Sequence, residues 1–154
     1  MAGYLVDSSA LVKRYVNETG SVWLSGLVAP AAGNDIYIAR ITTVEVLAAL
    51  TRRARGGTIA AADASAACLL FRNDLPHDYE IVDMTETLLN RAMTLAETHG
   101  LRGYDAVQLA AACEINAFYA GSGLPPFTFV SADRELNTAA TGERLLVADP
   151  NVHP

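Results

Sequence analysis

Tyr4-Leu5-Val6-Asp7-Ser8-Ser9 is a short apolar run that stops at an acid. Asp-Ser-Ser is a helix-start signal, because these side chains accept hydrogen bonds from the free N–H groups of a first turn. The segment therefore reads as a strand handing over to a helix. The same alternation continues outward from it. Ala10 to Val16 reads as a helix, Asn17-Glu18-Thr19-Gly20 as a turn, and a second short helix runs to about Val28. Ile36 to Ala39 is β-branched and aromatic and reads as the second strand. Thr42 to Arg55, closed by Gly56-Gly57, and Thr58 to about Asn73 read as helices. Tyr79 to Val82 is a third strand, and Thr85 to His99 a helix stopped by Gly100. Tyr104 to Tyr119 has almost no polar face, so it is expected to be buried on most sides. Phe127 to Val130 is a fourth strand, Asp133 to Ala140 a short helix, and Leu145 to Val147 a last strand. Strands alternating with helices imply an α/β fold with a parallel sheet covered on both faces.

At 154 residues and 51% hydrophobic content the chain suits one domain, residues 1–154, with a substantial core. No glycine- or proline-rich linker divides it, and no internal repeat is present. No apolar run approaches the ~20 residues of a membrane span, and the N-terminus lacks a basic leader, so the expectation is a soluble cytoplasmic protein with no membrane partner. Cys68 and Cys113 have no second cysteine or histidine at metal-ligand spacing and read as small core residues. His77, His99 and His153 are scattered, which leaves zinc chemistry and a histidine-based nucleophile without support. There is no Gly-x-Gly-x-x-Gly, no P-loop and no Gly-x-Ser-x-Gly.

Four acids stand out by position. In an open parallel sheet, functional groups gather beyond the carboxyl ends of the strands. Asp7 follows the first strand, Glu45 lies in the first turn after the second, and Asp133 lies three residues after the fourth. Asp105 opens the apolar helix and joins them if that helix begins at the same edge. Each acid has an ordinary alternative. Asp7 and Asp133 could be plain N-caps, Thr42-x-x-Glu45 fits a capping box, and Asp105-x-x-Gln108 resembles one. Jointly, four carboxylates at one edge repel unless a cation holds them, and hard divalent ions prefer oxygen ligands. Such an ion can acidify water and neutralise charge on a phosphate. The net charge of −6 speaks superficially against nucleic acid, but removing four of its charges to such a site leaves −2.

These segments resemble the PIN-domain family. Tyr4 to Leu11, Thr42-Thr43-Val44-Glu45-Val46, Tyr104 to Ala110, and Phe129 to Leu136 match its pattern in order, and the fit is best to VapC-type toxins of toxin–antitoxin pairs. The match runs from Tyr4 to about Pro150. The resemblance implies a PIN-like fold, a parallel sheet of about five strands flanked by helices. It implies a Mg²⁺-dependent endoribonuclease, with Mn²⁺ as a substitute, that cuts structured RNA such as tRNA or rRNA. Asp7, Glu45 and Asp105 match the family's acidic triad and Asp133 its fourth acid. Ser8 or Ser9 and Ser131 match its hydroxyl positions. A VapB-type antitoxin and a homodimer are the implied partners. The antitoxin groove would fall near Trp23, Leu24 and Leu27 and near Leu69, Leu70 and Phe71.

Asp7, Asp105 and Asp133 are expected to hold the ion, with Glu45 completing the site or acting as general base. Lys13, Arg14 and Arg40 are the candidates for RNA phosphates, with Arg52, Arg53 and Arg55 also suited to a helix C-terminus. Arg102 and Tyr104 are further candidates for substrate contact. Two alternatives remain at this level: a non-catalytic α/β protein-binding module whose acids are only caps, and a DNA or flap-type PIN nuclease. A phosphatase- or receiver-like domain would want Asp-x-Asp or a late lysine, whereas Ser8-Ser9 follow Asp7 and Lys13 is the only lysine.

Overall fold

The computed structural model describes residues 1–154. Five strands form one parallel sheet in the order β3-β2-β1-β4-β5: β1 Gly3–Val6, β2 Asp35–Ala39, β3 Glu80–Val82, β4 Phe127–Val130 and β5 Leu146–Ala148. The helices are α1 Ser8–Leu11, α2 Ser21–Val28, α3 Thr42–Arg55, α4 Ala61–Asp78, α5 Glu86–His99, α6 Gly103–Gly121 and α7 Arg134–Gly142. The period-two alternation of the strands divides the core into two layers. Leu5, Ala39, Phe127 and Phe129 face α5, α6 and α7. Val6, Ile36, Ile38 and Val130 face α1 to α4. The α/β class, the five parallel strands and the two-sided cover are therefore as read from the sequence.

Chain order reverses at β1, which has β2 on one side and β4 on the other. That is a topological switch point, where the connections leave in opposite directions and open a crevice at the carboxyl edge. Asp7 and Ser131 are the first residues past the two strands that flank it. The ladders extend one step into this edge, through Asp7 N–H to Val130 O at 3.0 Å and Ser131 N–H to Ala148 O at 3.1 Å.

α3 and β4 have the limits expected. α6 is buried on most sides, with Ala106 to Cys113 all in the core. Most other limits shift by one or two residues, and two elements differ by more. The first helix ends at Leu11 and continues only as a 3-10 turn, Val12–Arg14. α4 begins at Ala61, and it runs past Asn73 and through Pro76 to Asp78. Tertiary pairing accounts for that extension. Asp74 and Asp78 lie one turn apart and both meet Arg14, at 3.5 and 2.7 Å. Tyr15 donates to Asp74 at 2.8 Å and shares a 2.6 Å hydrogen bond with Tyr79.

This cluster corrects the expectation for Arg14. Its guanidinium is held by Asp78 at the start of β3, the amino edge of the sheet, rather than beside the acids. Arg14→Met is expected to cost about 3 kcal/mol of stability, because it leaves two part-buried carboxylates unpaired. Denaturant unfolding measures the loss, and the rate of RNA cleavage should stay within about twofold, since additivity holds for distant sites.

Candidate active site

The carboxyl edge collects the acids that the sequence singled out. Asp7 is 3% exposed. Its Oδ1 accepts from Ser9 Oγ at 2.7 Å and from Ala10 N at 2.9 Å, and its Oδ2 accepts from Ser131 Oγ at 2.7 Å. The Ala10 bond caps α1, so the cap reading of Asp7 is correct and coexists with the site. Burial pushes the Asp7 carboxyl up to about 7; the hydrogen bonds from Ser131, Ser9 and Ala10 oppose this, and the charge of Glu45 adds to it. Asp133 is likewise a true cap, accepting from Leu136 N at 2.9 Å.

Glu45 and Asp105 are not caps, which corrects both capping-box readings. The N-cap of α3 is Ile41, without a side-chain bond, and Thr42 Oγ1 is occupied by Gln108. The N-cap of α6 is Arg102, which places Asp105 within the first turn. Asp105 is raised by burial, then by the charges of Asp133 and Glu45, with Arg102 opposing. None of the four acids forms an ion pair within the chain; every salt bridge lies elsewhere. The capping alternative thus accounts for two of the four and leaves two part-buried like charges facing one another with no structural purpose.

The donor set is all anionic or hydroxyl oxygen, as a hard cation requires. No three of these side chains converge closely enough to enclose an ion by themselves. Such a donor set suits a hard divalent ion that keeps several of its waters between itself and the carboxylates.

Ser9 and Ser131 lie far apart in sequence yet meet at 3.3 Å, and both hold Asp7. Ser9 Oγ also accepts from Ala132 N, and Ser131 Oγ from Asp133 N, so the two hydroxyls tie the ends of β1 and β4 into one polar network. Ser8 lines the adjoining cleft instead. Three further residues contribute; sequence reading gave Thr42 and Gln108 only as capping partners and did not single out Asn137. Gln108 donates to Glu45 at 2.8 Å and to Thr42 at 2.7 Å, and Asn137 donates to the carbonyl of Ser131 at 2.8 Å. Helical spacing carried the signal for all three, since Gln108 follows Asp105 by three positions, Glu45 follows Thr42 by three, and Asn137 follows Asp133 by four. Gln108 Oε1 and Asn137 Oδ1 are buried without partners, a cost of about 1–3 kcal/mol each.

A cleft of about 600 Å³ leads away from Ser8, Ser9 and Glu45 along α3 to Lys13, Arg52 and Arg53, with Tyr104 at its side. Lys13 is nearly buried and donates to Glu18 and to the Thr19 carbonyl, and Arg53 pairs with the same Glu18. Arg52 is exposed and unpaired. Arg40 lies at the carboxyl end of β2 and pairs with Asp83 at the surface. Arg55 lines a different groove, between α3 and α4.

Comparison with known proteins agrees with this geometry. The PIN domain family profile matches residues 4–140. Ribonuclease VapC45 of Mycobacterium tuberculosis is 32% identical over 156 aligned positions, covering 96% of each chain. Among solved structures, PAE2754 from Pyrobaculum aerophilum has a TM-score of 0.63 at 24% identity, covering 98% of this chain and 92% of its own. The VapBC2 complex of Rickettsia felis, bound to a promoter DNA fragment, has a TM-score of 0.62 at 14% identity, covering 95% of this chain and 97% of the matched one. With its acids at the switch point of a five-stranded parallel sheet and relatives matched along nearly its whole length, the chain belongs to the PIN-domain family, in its VapC branch.

Proposed function

We propose that the protein is a Mg²⁺-dependent endoribonuclease that acts as the toxin of a type II toxin–antitoxin pair. The observation that carries this reading is the unpaired acidic edge, where Glu45 and Asp105 serve no capping role and raise the electrostatic cost of the fold. The name of the 32% identical relative supports ribonuclease as the activity. Asp7, Asp105 and Asp133 would hold the cation, partly through water. A bound divalent ion supplies Lewis-acid neutralisation of phosphate charge and lowers the pKa of water.

The chain's own groups then have distinct tasks. Ser9 and Ser131 fix the Asp7 carboxylate, leaving Oδ2 with one unused acceptor direction. Glu45 accepts a proton from the attacking water. The water oxygen bonds to phosphorus in line, the P–O3′ bond breaks, and the departing oxygen takes a proton from solvent, which gives 5′-phosphate and 3′-hydroxyl ends. The exposed Arg52, which lines the cleft, suits a neighbouring phosphate, Lys13 would have to leave Glu18 to join it, and the exposed Tyr104 offers a face for a base. Structured RNA, tRNA or rRNA, is the expected substrate.

The similarity to VapBC2 of Rickettsia felis and to a toxin–antitoxin complex from Klebsiella pneumoniae supports a VapB-type partner. Leu69 and Leu70 at 69% and 53% exposure give α4 an outward apolar pair of the kind a partner covers, while Phe71 is core. Trp23 stacks on His153 and is partly buried with Leu27. A homodimer is part of the same proposal. No helix is long and apolar enough to cross a membrane, and the site of action proposed is the cytoplasm.

The test is incubation of total RNA with the purified protein, with Mg²⁺ or Mn²⁺ and with EDTA. Discrete fragments that vanish with EDTA are expected. Absence of cleavage with every divalent ion, together with no ion binding by calorimetry, would favour the binding-module alternative.

A further inference from the structure

Gln108 is 1% exposed in the stretch Ala106 to Cys113 of α6, where every other residue is apolar, between the core residues Val107 and Leu109. A buried amide is costly there unless it is used. Its Nε2 is the donor in both side-chain hydrogen bonds that join α6 to α3, one to Glu45 Oε1 and one to Thr42 Oγ1. The two helices pack on opposite faces of the sheet. Gln108 therefore reaches around the sheet edge and ties the helix carrying Asp105 to the helix carrying Glu45.

The direction of the amide follows from its partners. Turned over, its oxygen would face the Glu45 carboxylate, acceptor against acceptor. With the N–H end toward Glu45 both protons are used, and Oε1 is left buried with nothing to accept from. Packing alone does not account for a side chain so placed. A lysine or arginine could hold the same carboxylate, but it would cancel its charge; a neutral amide holds the oxygen and leaves the charge available. Glu45 Oε2 has no hydrogen-bond partner within the chain, so one oxygen is fixed and the other is free to act.

We propose that Gln108 is a positioning residue, whose amide pins one oxygen of Glu45 so that the other is presented to the reacting water. This rests on the role of Glu45 given above. A long flexible acid among other acids would otherwise swing toward the open cleft, away from the like charges of Asp7 and Asp105.

The test is a double-mutant cycle with a spectroscopic arm. Gln108→Met keeps the side chain's length and removes both donors. It is expected to lower kcat by about 10–100-fold, the usual cost of losing an outer hydrogen-bond partner, with KM for RNA within about twofold. In the Glu45→Gln background the same change should add little, because it acts only through the lost carboxylate. In metal-free protein labelled at glutamate carboxyl carbons, the Glu45 resonance should be single and sharp in the wild type and shifted by averaging in Gln108→Met. Thr42→Val removes the second anchor without touching Gln108, so it provides the test if Gln108→Met does not fold; a smaller change in the same direction is expected. Wild-type kcat in Gln108→Met beside an inactive Glu45→Gln would overturn the proposal, as would full additivity in the cycle or an unchanged Glu45 resonance. A fully active Glu45→Gln would instead remove the role given to Glu45, while the resonance would still decide whether Gln108 holds it.

Discussion

Asp7→Asn is expected to lower RNA cleavage by about 10²–10³-fold while the protein stays folded. The side chains have nearly the same shape, and asparagine keeps an acceptor for Ser9 Oγ and Ala10 N, so the cap of α1 survives. Ser131 now donates to Oδ2, and its hydroxyl can rotate to accept from the new amide instead. What disappears is the negative charge at the switch point between β1 and β4. A neutral amide oxygen is a poor ligand for a hard cation, and the Lewis-acid contribution of that cation is worth several kcal/mol, each 1.36 kcal/mol being about tenfold in rate. Single-turnover cleavage with enzyme in excess measures the chemical step, and far-UV circular dichroism reports the fold. Retention of metal-dependent cleavage within about tenfold of wild type would take Asp7 out of the mechanism, and with it the central role of the β1 terminus.

Much of this site was legible in the sequence because its residues are tied to local signals. Asp7 and Asp133 sit where a strand stops and a helix starts, and both are caps as well as candidate site residues, so the same residue type satisfied two readings at once. The C-terminal end of Thr42–Arg55 was legible because two glycines close it. What could not be read depends on contacts across the chain. Ser9 and Ser131 are 122 positions apart, and only the parallel pairing of β1 with β4 brings their hydroxyls to one carboxylate. Gln108 looked like part of a cap, and its use emerged only once α3 and α6 lay on opposite faces with their first turns at the same edge. Arg14 is the opposite case. The sequence offered it as a candidate for RNA phosphates, but two acids of α4 draw its guanidinium to the other edge of the sheet. That pairing also explains why α4 outruns its proline. Local rules gave the elements and the acids, and tertiary pairing assigned the cations.

Metal-free wild-type protein is expected to lose stability, relative to Asp7→Asn, as pH rises from about 4 to 7. The Asp7 carboxyl is raised in the folded state from 3.8 to about 7, chiefly by burial. Between those values the folded state binds the proton that the unfolded state has already released. Stability therefore falls with pH across that window; it is greatest below 3.8 and levels off above 7. At 1.36 kcal/mol per pKa unit the full difference is about 4 kcal/mol, on the order of 10 °C in Tm for a chain this size. Asp105, also raised, acts in the same direction. The variant carries no ionisable group at position 7, so subtracting its unfolding curve isolates the contribution of Asp7. At pH 8 Asp7→Asn should be the more stable protein without metal, and the order should narrow or close near pH 4. A divalent ion should then stabilise the wild type at pH 8 far more than at pH 5, since ion and proton compete for the same carboxylate, and should leave the variant nearly unmoved. A flat difference between wild type and variant over this range would mean that Asp7 is ionised at little cost. In that case the hydrogen bonds from Ser131, Ser9 and Ala10 offset the burial of the charge.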